Sequence, residues 1–132
     1  MIAVRRFSLV VIATLMITAD AAHAQLSPNW KGCTGNPDVE WKQQIERCSD
    51  LISSGDESQQ NLAIAYYNRG LAYENLDNYA KAIADYSEAL ALDPEDADAL
   101  LYRGLDKIRL GDKAGGDADI ASAKRIDPNI GR

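Results

Sequence analysis

Two arginines, each followed sixteen residues later by an aspartate, are the side chains of this sequence best placed to hold a charge. Arg69 precedes Gly70 in AYYNRGLAY, Arg103 precedes Gly104 in LYRGL, and Asp85 and Asp119 follow at the same offset. A guanidinium in an apolar run can take an anionic ligand, or it can pair with a carboxylate inside the fold. If Arg and Asp lie on successive helices packed antiparallel, they meet, and a partly buried guanidinium needs such a carboxylate. Two structural salt bridges, Arg69–Asp85 and Arg103–Asp119, are therefore expected. Asp85 with Glu88 is the nearest approach to a catalytic carboxylate pair, but on one helix face a solvated charge or the Arg69 partner is the simpler reading. The sequence shows no Gly-rich phosphate loop, nucleophile elbow or metal-ligand cluster. The reading is that the chain is not an enzyme and has no catalytic residue, metal ligand or cofactor.

The chain opens with MIAVRRFSLVVIATLMITADAAHAQ. Arg5 and Arg6, a short apolar run and Ala22-His23-Ala24 compose a secretory signal peptide over residues 1–24, removed before Gln25. The surroundings of Arg5-Arg6 fit the twin-arginine pattern poorly, and no Cys follows the cleavage site to carry a lipid anchor. The expected location is the periplasm or the exterior, with no membrane insertion after cleavage. His23, the sole histidine, leaves with this segment, and with it the commonest general base and zinc ligand. Losing Arg5, Arg6 and Asp20 makes the remainder one unit more negative than the −6 of the whole chain. Such a surface disfavours nucleic acid and anionic membranes as partners.

Cys33 and Cys48 remain, and in an oxidising compartment an even pair reads as one disulfide. A helix starting near Asp38 carries Cys48 about 15 Å along it, and an extended chain from Asp38 back to Cys33 covers about 16 Å. A strap of residues 25–37 folded along that helix joins them, and a loop of this length contributes roughly 3 kcal/mol. A redox-active pair would call for C-x-x-C spacing, which is absent.

The arginines belong to a longer repetition. Residues 63–73 align with 97–107, and Pro94 and Pro128 keep the same period of thirty-four. A fixed period of this size marks stacked units. In the first unit Ala63, Tyr66, Gly70 and Tyr73 recur at helical spacing, Leu76-Asp77-Asn78 reads as a turn, and a second helix follows with Ala82, Ile83, Tyr86, Ala89 and Leu90 on its apolar face. Asp93-Pro94 ends it, and Asp96 is placed to cap the next helix. Upstream, Trp41, Ile45, Cys48 and Ile52 predict an amphipathic helix, with Pro37 in its first turn and Gly55 at its stop. The fold class is all-α, a short α-solenoid with helices over 38–54, 63–75, 79–92, 97–109 and 113–126. Its domain runs from 38 to 130, with repeats 63–96 and 97–130. Gly115-Gly116 predicts fraying of the last helix.

Tyr66, Gly70, Tyr73, Ala82, Tyr86, Ala89 and Pro94 resemble the tetratricopeptide repeat family at its characteristic offsets. The second unit keeps Leu100, Gly104, Ile120, Ala123 and Pro128, with Lys107 and Gly116 departing from the pattern. The resemblance implies an adaptor that holds a peptide or protein segment in a concave groove lined by the first helix of each hairpin. Its offsets fall on Ile64, Tyr67, Leu71, Glu74 and Asn75, then on Asp98, Leu101, Leu105, Ile108 and Arg109. The lysine and asparagine set with which some members hold a terminal carboxylate is not reproduced, because Tyr67 and Leu101 stand where a lysine would be wanted. No polar capping helix follows Pro128, so the alternative is a structural subunit that self-associates, as a homodimer, through its C-terminal end.

Overall fold

The computed structural model describes residues 28–132; the signal-peptide reading and the first residues of the strap lie outside them. Among the described residues six α-helices follow one another: α1 (Pro28–Cys33), α2 (Trp41–Ser54), α3 (Gln59–Asn75), α4 (Tyr79–Leu92), α5 (Ala97–Arg109) and α6 (Lys113–Ile126). Each packs on the next, and α1 also reaches α3. The result is an all-α solenoid in which α3–α4 and α5–α6 are the two hairpins.

Local chemistry sets the boundaries. The Ser58, Asn78, Asp96 and Asp112 side chains each accept a hydrogen bond from the backbone N–H three residues on, capping α3, α4, α5 and α6. The two hairpin turns use the left-handed region at equivalent positions, Asp77 at φ 56° and Gly111 at φ 93°. Aspartate tolerates that conformation and glycine adopts it freely, so the turn survives a change of residue.

Three expectations are corrected. Helix α2 starts at Trp41 instead of 38, because the Asn36 side chain accepts from Asp38 N–H and its carbonyl accepts from Val39 N–H; this local turn competes with helix and leaves Pro37 outside it. Helix α3 starts four residues before 63, because Ser58 caps it and Gln59–Leu62 supply an additional turn. The stretch from Cys33 to Asp38 is not extended: it runs through turns, and Pro28–Cys33 before it is helical and lies against α2.

A Cys33–Cys48 disulfide joins α1 to α2 with its Cα atoms 4.8 Å apart. With Leu51 and Ala65 the two cysteines form a small core, flanked by Trp30 and Ile52. The larger core gathers Ala82, Tyr86, Leu90, Ala99, Leu100 and Ala123 from α4, α5 and α6.

The predicted fraying of α6 is absent, since the helix is continuous and both glycines serve it. Gly115 leaves room for the capping Asp112 carboxylate, and Gly116 lies against Gly104 where α5 and α6 cross. A Cβ on Gly104 would stand 2.8 Å from the Gly116 carbonyl oxygen, and one on Gly116 would overlap the Gly104 carbonyl. Neither obstacle is a movable side-chain end, so Gly116→Ala is expected to cost about 2–3 kcal/mol despite alanine's better helix propensity. Urea unfolding of the variant measures this, and an unchanged or raised midpoint would contradict the backbone-contact account.

Candidate functional site

The Arg–Asp pairs sit between the helices. Arg69 donates through Nε and Nη2 to both Asp85 oxygens, at 2.7 and 2.8 Å, and through Nη1 to Ser49 Oγ on α2 at 3.0 Å. Arg103 repeats the arrangement with Asp119, at 2.8 and 2.7 Å, and with Ser87 on α4 at 3.2 Å. Each guanidinium thus ties three consecutive helices and spends its donors inside the fold. The Asp85 hydrogen bond is the main cause of a raised Arg69 pKa. Burial alone would raise Asp119, but hydrogen bonds from Arg103 and Lys107 outweigh it and hold the carboxyl below its ordinary value.

The serines were not read from the sequence. They break the thirty-four-residue period, lying twenty and sixteen residues before their arginines. The difference is the additional turn of α3, and since four residues are close to one turn, the hydroxyl returns to the same face.

A tyrosine cluster bridges α3, α4 and α5. Tyr67, Tyr86 and Tyr102, from α3, α4 and α5, lie with ring centroids 5.9–6.3 Å apart. Above them opens a concavity of about 460 Å³ lined by Leu71, Glu74, Asn75, Asp77, Tyr79, Tyr102 and Arg109. Glu74 anchors its floor, accepting from Tyr86 Oη at 3.0 Å and from Arg109 Nη1 at 2.7 Å. The same Nη1 donates to Asp106 Oδ1 at 2.6 Å, and the guanidinium lies 5.2 Å from the Tyr79 ring centre.

Of the ten groove residues expected, Leu71, Glu74, Asn75 and Arg109 meet in this concavity. Tyr67 and Leu101 border the face but pack against the main core. Asp98 is exposed and Leu105 half-buried on α5. Two placements need correcting. Ile64 opens onto a separate concavity with Ser58, Ala63, Leu92 and Asp96. Ile108 leans over Gly116, because the missing side chain there leaves a space that it fills.

Tyr102, Tyr79 and above all Asp106 were missed. Asp106 is fully buried at the place in the second unit where the first has the buried Ala72. That exchange of alanine for aspartate was the available signal. Asp106 Oδ2 has no hydrogen-bond partner. Burial chiefly pushes its carboxyl from 3.8 up to about 6; the Arg109 hydrogen bond opposes the shift and Glu74 adds to it. Among the described residues no group of histidines, cysteines and carboxylates could hold a metal ion, and no helix is long and apolar enough to cross a membrane.

Residues 63–96 match the family model described as tetratricopeptide repeat. A similar solved structure is the second TPR of Spaghetti (RPAP3) bound to HSP90 peptide SRMEEVD. It has a TM-score of 0.64 and 22% identity over 74% of this chain and 86% of that one. Residues 63–96 are thus a tetratricopeptide repeat, and the fold of the described residues is a short solenoid of that kind.

Two measurements probe this site. Replacing Arg69 by Met strands the buried Asp85 carboxylate, at an expected cost of about 3 kcal/mol in chemical unfolding; adding Asp85→Leu should recover most of it. A double variant no more stable than the single would show that the pair is not coupled. For Asp106 the folded pKa lies above the unfolded one, so the folded chain holds more protons between about pH 4 and 6. Its contribution is full below the unfolded pKa and is lost as pH rises through about 6. Between about pH 4 and 7 the native chain should therefore lose on the order of 2 kcal/mol more than Asp106→Asn in urea unfolding. Parallel pH profiles would show that Asp106 does not titrate as placed.

Proposed function

We propose that this protein is an interaction module of the bacterial cell envelope that holds a segment of another protein on its concave face. The observation that carries the reading is the concavity bounded by α3, α4 and α5. Apolar Leu71 and the Tyr102 ring there adjoin Asn75, Glu74 and Arg109, a few polar groups able to orient a chain. The similar Spaghetti domain is bound to a peptide, which supports the same use of this face. The leader of residues 1–24 supports export, to the periplasm first or to the exterior, and the disulfide suits an oxidising compartment. The arginines best suited to chemistry are consumed by internal pairs, which favours binding over catalysis. No cofactor enters this reading.

A self-associating structural subunit is the second reading, favoured by Leu110 and Ile126, exposed apolar residues near the far end. One comparison separates the two. Leu71 packs on the core, so Leu105→Asp with Asn75→Arg is the cleaner groove variant. Immobilised native protein is expected to capture an envelope protein that this variant loses while keeping its helicity and unfolding midpoint. Equal capture by both would move the binding surface off the concave face. Sedimentation would then test the Leu110 and Ile126 end as a dimer contact.

A further inference from the structure

The concave face is unevenly charged. Glu74 and Asp77 line the central concavity and Asp98 is exposed at the start of α5, while Arg109 is the cation of that concavity. Arg103 and Lys107, the other cations of α5, are committed to Asp119. Arg109 is itself shared, one nitrogen serving the carboxylates of Glu74 and Asp106. Two carboxylates on one guanidinium leave a formal excess of one negative charge at this knot.

Asp106 places part of that excess out of water. It is fully buried, its side chain projects toward Arg109 on the rim of the concavity, and one of its oxygens accepts no hydrogen bond. A charge out of water is weakly screened and acts on the surface above it through low-dielectric protein. The Tyr86 hydroxyl senses the same field. Burial raises its pKa most, and Glu74 and Asp106 act in the same direction.

Arg109 shows what such a place accepts. Its guanidinium lies against the Tyr79 ring, with Glu74 and Asp106 accepting from it and 44% of the side chain still exposed. A second cation arriving beside it would find the free negative charge of the knot, Asp98 further along α5, and tyrosine faces that favour cations. Leu71 and Leu105 flank these groups with apolar surface.

We infer that the concave face selects a protein segment carrying lysine or arginine between apolar side chains, and disfavours acidic segments. The inference rests on the proposed use of this face and names its ligand's chemistry. Asp98, exposed on α5, and Glu74, on the floor of the concavity, are the specificity-determining carboxylates, and Asp106 acts beneath them through its field.

The test is selection from a random peptide library displayed on phage, with the disulfide-bonded protein as bait and the Leu105→Asp, Asn75→Arg variant as counter-bait. Clones that bind the native protein and not the variant should be enriched in Lys and Arg. A synthetic peptide from such a clone should weaken about fivefold against either Glu74→Gln or Asp98→Asn, about 1 kcal/mol by the affinity relation. Its affinity should also fall as salt is raised. Groove-dependent clones rich in Asp and Glu, or neutral clones indifferent to both substitutions, would overturn the inference and leave the groove reading standing. Selection that yields no groove-dependent clone would overturn both.

Discussion

Arg69 and Arg103 each hold three helices at once, and the form of the concave face follows from where those guanidiniums sit. A bidentate bond to Asp85 or Asp119 sets the distance between the two helices of a hairpin, while the bond to Ser49 or Ser87 sets that hairpin against the helix before it. Apolar packing tolerates some sliding; a planar fork with fixed partners does not. Desolvation offsets much of the Coulomb gain of such pairs, so their larger contribution is to register. Register is what a concavity lined by separate helices requires.

The two ends of the array are finished differently. At the front α1 folds back on α2 and the Cys33–Cys48 bond closes a small core of its own, standing in for the first half of a repeat. At the back the chain turns after α6 so that Ile130 packs on the main core, while Ile126 stays exposed. A solenoid buries each unit against its neighbours, so a terminal unit must be covered by something else. Among the described helices the first pair is joined covalently, whereas α6 keeps Ile126 exposed.

The features that distinguish the concave face lie where the second unit departs from the first. Asp106 in the place of Ala72 puts a carboxylate into a position that packing would fill with a methyl group. Arg109 and Glu74 answer it across the seam between α3 and α5. Equivalent positions that agree, such as Gly70 and Gly104 or Asp85 and Asp119, make architecture. Those that differ make the electrostatic character of the surface.

Much of the fold was legible because its determinants are local or periodic. Helical spacing, the Leu76-Asp77-Asn78 turn, the Asp96 cap, Asp93-Pro94 and the repeat itself are properties of a few consecutive residues or of one fixed offset, and they placed α4 and α5 at their observed bounds. The Arg–Asp partners were legible for the same reason, since a shared offset of sixteen survives any rigid stacking of the units. Less could be read where non-neighbours decide. The late start of α2 came from a competing side-chain turn at Asn36, and the early start of α3 from a cap that lies outside the repeat. The burial of Asp106, the single nitrogen joining it to Glu74, and the serines completing each arginine depend on how far one helix is displaced along another. Sequence alone therefore determined the repeating hairpin and its internal ion pairs, because periodicity carries them. Tertiary structure decided which side chains share the concave face and what field they make, because those depend on helix displacement and burial, quantities that no linear pattern encodes.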